Sequence, residues 1–215
     1  DHGVWPLLTL DLYLNETGDF GILFRETAYF HDRLGKLKTS SGRVYKGTIF
    51  EHLLLENLAQ FFNVGAHNHI RLAGADWNDG LDMAGEFGES VAFSCMYAHN
   101  LKLLSDLLMK LGRRQIKVAK EINLLLRKID YNDIKAKQRL LDSYFSLTKN
   151  KLSGKTVPFG VEELSRSLRE KSDWMIQHIR KKEWLKVGFF NGYYDNKKRR
   201  VEGIKNGKVK MILTS

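Results

Sequence analysis

Residues 67–88, HNHIRLAGADWNDGLDMAGEFG, gather the chain's most chemically suggestive side chains. Asp76, Asp79 and Asp82 lie within seven residues, beside Trp77, Asn78 and four glycines. An indole next to carboxylates suits a sugar. The ring stacks on the apolar C–H face of a pyranose, and the acids accept bonds from its hydroxyls. Ordering so polar a segment costs backbone entropy, and loops of this length in compact domains are commonly functional. Other readings compete. Asn78-Asp79-Gly80 also makes a good turn, since Asp-Gly pairs tolerate positive φ. Asp76, Asn78 and Gly80 imitate the alternation of a calcium loop, but the later bidentate acid is misplaced. His67 and His69 would begin a metal site only with further ligands at compatible positions. As loop residues they are expected to form hydrogen bonds, and no metal is expected.

This segment lies between apolar helical patterns that must position it. Residues 4–14 (VWPLLTLDLYL) are apolar and are followed by a stop at Thr17-Gly18-Asp19. Thr48 reads as an N-cap with Glu51 completing a capping box, and Ile49, Leu53, Leu54, Leu58, Phe61 and Phe62 follow at helical spacing, to an end at Gly65. His52 on that helix is expected as a packed or supporting histidine. Val91, Phe93, Met96, Tyr97, Leu101, Leu104 and Leu108 mark a helix over 90–111. The pattern predicts amphipathic helices over 113–128 and 132–147, a turn-rich connection over 149–160, and a helix over 161–180 with Leu164, Leu168, Trp174, Met175 and Ile179 as its apolar marks. Dense aromatics then surround the turn pair Asn191-Gly192. Only Pro6 and Pro158 interrupt, so the long stretches are free to be helical. The expected class is all-α, a bundle or toroid.

With 215 residues and 43% hydrophobic content, the chain can bury a core. No apolar run approaches the roughly 20 residues of a membrane helix, so no membrane partner is expected. Lone Cys95 excludes an intrachain disulfide; it is expected to be buried, and a reduced, cytoplasmic setting fits. The net charge of +10 could signal nucleic acid. Its Lys and Arg fall in runs at 113–117, 135–139, 180–182 and 197–200, which on amphipathic helices form solvated faces. No nucleic-acid motif accompanies them, and the stretch from Arg113 to Lys137 is expected on the outer surface.

The segment GADWNDGLDMAG resembles the hallmark GDWNDGMNxxG of glycoside hydrolase family ninety-four, whose members include cellobiose, chitobiose, laminaribiose and 1,2-β-oligoglucan phosphorylases. Flanking blocks match in order. Asp1-His2-Gly3-Val4-Trp5-Pro6 with Thr17-Gly18-Asp19 resembles the family's DDxLWLP…TGD helix, Phe50-Glu51-His52 its Tyr-Glu-His, and Gly88-Glu89-Ser90-Val91 its GESVW. Phe190-Asn191-Gly192-Tyr193-Tyr194-Asp195, with Arg199-Arg200-Val201-Glu202-Gly203, resembles its WFNGYYDxxGRRVEG block, closer to the 1,2-β-oligoglucan branch than to the cellobiose branch.

The resemblance implies part of an (alpha/alpha)6 barrel, with residues 1–215 as a central catalytic-domain fragment, a surface helical segment at about 110–150, and flanking domains outside it. It implies Asp79 as general acid, with Asp76, Trp77, Asn78, Tyr193, Asp195 and Glu202 binding substrate. Inverting glycoside cleavage needs an acid for the leaving oxygen and a nucleophile on the opposite face. Phosphate is already anionic, so a phosphorylase needs one carboxylic acid and cationic or N–H donors for phosphate. That acid must stay protonated near neutral pH, and burial and the Asp76 charge would both raise its pKa. The expected reaction moves a glycosyl group from a β-linked glucoside to phosphate, giving an α-sugar 1-phosphate. No cofactor is expected beyond phosphate as co-substrate, and the partners are an oligosaccharide and phosphate, with a homodimer in keeping with the family. The alternatives are a hydrolase on a similar barrel with Asp76 or Glu89 as base, an inactive carbohydrate-binding fragment, and, last, nucleic-acid binding with a steep salt dependence.

Overall fold

The computed structural model describes residues 3–31, 35–74 and 79–211. Five α-helices are described: α1 (Trp5–Thr17), α2 (Ile49–Phe62), α3 (Val91–Lys110), α4 (Ile134–Thr148) and α5 (Val161–Glu183). Short two- and three-stranded ribbons lie between and after them, so the class is helical with short strands rather than all-α. No described helix is long and apolar enough to cross a membrane.

The helix ends follow local chemistry. Pro6 sits in the first turn of α1, where a missing N–H costs no intrahelical bond. Gly18 ends α1 at φ 67° and donates its N–H to Leu14 O at 2.9 Å, a left-handed cap that favours glycine. The Thr48 hydroxyl caps α2 by accepting from Glu51 N at 3.1 Å. The expected reciprocal half of that capping box is absent. The Glu51 carboxylate instead accepts from the Tyr29 and Tyr45 hydroxyls and from Ala119 N. The α2 helix closes at Asn63, two residues before Gly65. Ser90 caps α3 through Phe93 N at 2.9 Å. The α5 helix has Glu162 and Glu163 in its first turn and Arg180, Lys181 and Lys182 in its last, the polarity that its dipole favours.

One hydrophobic core joins all five helices, with Leu7 and Leu10 of α1, Phe50 and Phe61 of α2, Leu101 and Leu104 of α3, Leu141 of α4 and Leu168 of α5 among its members. The helices α3 and α5 form a hairpin whose close approach uses small polar residues. The Ser105 and Ser165 hydroxyls bond at 2.8 Å, and the Ser172 hydroxyl donates to Ala98 O at 2.7 Å.

Residues 111–160, between these helices, correct the helical expectation for 113–128. Gln115–Ala119 is a strand, antiparallel to Thr156–Gly160 with Gln115 opposite Gly160, and a 3-10 turn follows at Lys120–Leu126. Gln115, Ile116, Lys117 and Val118 alternate exposed and buried, the period of a strand. Pro158 is tolerated because the ribbon has only two strands. The excursion is no purely outer surface either: Ile116, Val118, Ile122, Leu125 and Lys137 are buried. Cys95 is exposed rather than buried. It shares an outward row with exposed His99 and Lys102, while Ser94, Tyr97, Ala98 and Leu101 face the core.

Candidate active site

The strand Glu89–Ser90 is the centre of a three-stranded sheet. On one side it pairs with Ile70–Arg71, the stem of the motif loop; on the other it pairs with Tyr193–Tyr194 of the aromatic block. Segments about 120 residues apart in sequence are thereby brought side by side. Further bonds close the loop: Leu72 N donates to Gly88 O at 3.0 Å, and Gly74 N to Gly85 O at 2.8 Å. Asn196 Oδ1 accepts from Glu86 N at 3.0 Å and Phe87 N at 2.9 Å, while Asn196 N donates to Met83 O at 2.7 Å. Gly88 permits the tight return, since a Cβ there would lie 2.2 Å from Ala84 O.

Two buried carboxylates organise the sheet's ends. Glu89, 0% exposed, accepts from His67 N, His69 N and His67 Nδ1 at 2.9–3.1 Å. Glu183, at the end of α5, accepts from His69 Nε2 at 3.0 Å, the Tyr194 hydroxyl at 2.9 Å and Asn191 Nδ2 at 3.2 Å. Burial pushes the Glu183 carboxyl upward, but the His69, Tyr194 and Asn191 bonds outweigh it and hold the pKa below its ordinary value. Burial pushes the Tyr194 hydroxyl up to about 12. The His67 ring stacks on Tyr194 at 3.6 Å between centroids. Burial depresses the pKa of His178, whose Nε2 bonds His67 O at 2.9 Å. Thus His67 and His69 bond carboxylates as expected of loop histidines. Among the described residues no cluster of three His, Cys, Asp or Glu side chains could hold a metal. His52 stacks on Tyr29 at 3.7 Å, with its Nε2 3.2 Å from Thr27 O, a packed histidine.

The motif residues Asp76, Trp77 and Asn78, expected to bind substrate, lie outside the described residues. The Asp79 backbone opens a short 3-10 segment, Asp79–Ala84, and its side chain likewise lies outside the described part. Asp195 and Glu202 meet at one cleft of ≈ 550 Å³, with Met83 of the motif loop on its wall, a size within the ~300–1,000 Å³ of ligand clefts. Tyr193 is buried against Leu72, Met83 and Val201. The Asp195 carboxylate accepts from Lys197 N, Arg199 N and Arg199 Nε at 2.8–2.9 Å. Burial pushes it up, but the Arg199 bonds prevail and hold its pKa below the ordinary value. Glu202 accepts from Gly192 N. Arg200 bonds the Tyr194 hydroxyl and lies 3.6 Å from Glu183, so both arginines of the pair have protein partners. A second cleft of ≈ 410 Å³ is lined by His67, His178, Glu183, Tyr194 and Arg200. Glu183 and His178 carried no motif; their sole signal was position on the last turns of an amphipathic helix that leads into the aromatic block.

The family model of the glycosyl hydrolase 94 superfamily, catalytic domain, matches residues 1–133. The chain belongs to this superfamily. The solabiose phosphorylase of Paenibacillus borealis is 30% identical over 109 residues, a stretch covering 50% of the chain and 13% of that enzyme. The glycosyl hydrolase 94 match takes in α1, α2, the motif loop and α3. The aromatic block lies beyond it and is tied back by the three-stranded sheet. Membership makes the chain part of a glycosyl hydrolase 94 catalytic domain, and the three-stranded sheet anchors its motif loop.

Proposed function

We propose that the chain is the catalytic-domain portion of an inverting phosphorylase, in which Asp79 protonates the leaving oxygen of a β-linked glucoside. Family membership and the phosphorylase relative support this reading. The observation that carries it is the sheet that sets the motif loop beside Asp195 and Glu202 on one cleft. Phosphate oxygen attacks the anomeric carbon from the face opposite the leaving group. The glycosidic C–O bond breaks, and the Asp79 proton goes to the departing oxygen, giving an α-sugar 1-phosphate and a shortened sugar. Asp76, Trp77 and Asn78 hold the sugar, with Asp195 and Glu202 accepting from its hydroxyls and Tyr193 backing the cleft. The helices fit a portion of an (alpha/alpha)6 barrel. The reading needs no cofactor and no metal. It places the enzyme in the cytoplasm with an oligosaccharide and phosphate as its partners, compatible with a homodimer, without nucleic acid or membrane.

Glu89 is unsuited to be the base of a hydrolase, because its carboxylate is enclosed and its oxygens already accept from three donors. The test is phosphorolysis by the intact protein on a panel of β-linked glucose disaccharides. Sugar 1-phosphate should form only with phosphate present. Asp79→Asn should lower turnover by about 10²–10⁴-fold while sugar binding persists. Full turnover by the Asn variant, or cleavage without phosphate, defeats the proposal.

A further inference from the structure

Two lysines are buried where α4, α5 and the stem of the motif loop meet. Lys137 of α4 and Lys171 of α5 are each 0% exposed. Lys137 Nζ lies 4.0 Å from the ring centres of both Phe61 and Trp174 and donates to Asn68 Oδ1 at 2.9 Å. Lys171 Nζ donates to the Ser167 hydroxyl at 2.9 Å and the Tyr131 hydroxyl at 3.4 Å. Among the described residues no carboxylate bonds either ammonium. A buried charge ordinarily has an acid partner or gives up its proton. The charged and titratable groups around them are few. Lys171 itself repels Lys137. Glu170 acts on Lys171 while pairing with Lys128 at the surface. His178 of α5 feels Lys137. Tyr131 contributes its hydroxyl, and α2 presents the uncharged Phe61.

Asn68 links this pair to the site. It has φ 66°, donates from Nδ2 to Tyr131 O at 2.9 Å and accepts at Oδ1 from Lys137 Nζ. Its neighbours His67 and His69 are the residues whose N–H groups satisfy Glu89. We propose that Lys137 is a positioning residue that, opposed by Lys171, forms a charge-controlled clamp on the loop stem 65–71 through Asn68. Its consequence for turnover rests on the phosphorylase reading; its existence does not. With both amines charged, repulsion across the shared aromatic wall pushes α4 from α5 and loosens Asn68. With one or both neutral, the clamp closes. Burial, assisted by Lys171, brings Lys137 down to about 7, and burial alone brings Lys171 to about 8 despite Glu170. Both values are depressed below that of a free lysine, so the unfolded chain binds more protons from about pH 7 to 10. Stability and stem order therefore rise with pH across that window and are least below pH 7.

The experiment is amide hydrogen exchange of residues 66–71 in the intact protein at pH 6 and pH 9, corrected for intrinsic chemical rate. The wild type should exchange about tenfold faster at pH 6, the change expected for one pKa unit of coupling. Lys137→Met should remove the pH difference. Lys171→Met, which keeps the Asn68 bond and removes the repulsion, should bring the pH 6 rate to the pH 9 value. Should Lys137→Met fail to fold, Lys171→Met decides alone. A Lys171→Met stem that exchanges as the wild type does at both pH values, or a Lys137→Met pH difference equal to the wild type's, overturns the clamp. None of these readouts depends on which sugar, if any, the enzyme cleaves.

Discussion

The sheet at the motif loop and the core beneath α4 handle buried charge in opposite ways. At the sheet, Glu89 and Glu183 are each surrounded by donors from the backbone, histidine, tyrosine and asparagine. Beneath α4, Lys137 and Lys171 are held by aromatic faces and neutral acceptors alone. The first arrangement is rigid, because a fully satisfied network has one geometry. The second is conditional, because its charge can be relinquished. Asn68 and His178 lie between them, so the rigid half reaches the conditional half through these two side chains.

That contrast can be broken by substitution. The largest effect is expected for Glu89→Ala, which removes the acceptor of the part-buried His67 N–H and the buried His69 N–H. Denaturant unfolding should show a loss of about 2–6 kcal/mol, about 1–3 for each orphaned donor; a loss under ~1 kcal/mol would mean that the sheet does not depend on this carboxylate. Glu183→Gln should cost about 1.5–3 kcal/mol near neutral pH, the scale of hydrogen bonds to a charged group. Its pH dependence has a defined sign. The folded pKa of Glu183 is depressed, so its contribution is present above the unfolded value of about 4.3 and drains as pH falls through the folded one. The acid limb of a thermal-midpoint profile should therefore flatten in the variant, while the alkaline rise expected from the two lysines remains. The smallest effect is expected for Arg199→Ala. Its side chain is 64% exposed, and Asp195 retains the Lys197 and Arg199 N–H bonds. Screening limits the loss to about 0–1 kcal/mol, and added salt should erase much of it.

The helices α2, α3, α4 and α5 were legible because each carries apolar residues at a 3.6 period over several turns. Gln115–Ala119 was not, because only four residues of alternation sit within a basic run that also suits a helix. Cys95 was misjudged from its residue type; its place on the row with His99 and Lys102 indicates the exposed side. The site was legible as a motif and opaque as a network. Trp77 and Asp79 stand in one contiguous block, whereas His69 meets Glu183 across 114 residues and Lys137 meets Asn68 across 69. Spacing along a chain carries no signal for such meetings, which depend on how helices pack. The burial of Lys137 had the same cause: its neighbours Lys135 and Arg139 are both exposed, and only the α2 and α5 walls distinguish it.

Gln115 opposite Gly160 means that the chain departs from the α3–α5 hairpin and rejoins it at a single point. The exposed turns beyond that point can grow or shrink with little entropic consequence, since each doubling of a flexible loop costs only about 0.6 kcal/mol. Relatives are free to differ in the length of those turns while the strand pair keeps the ends of α3 and α5 together.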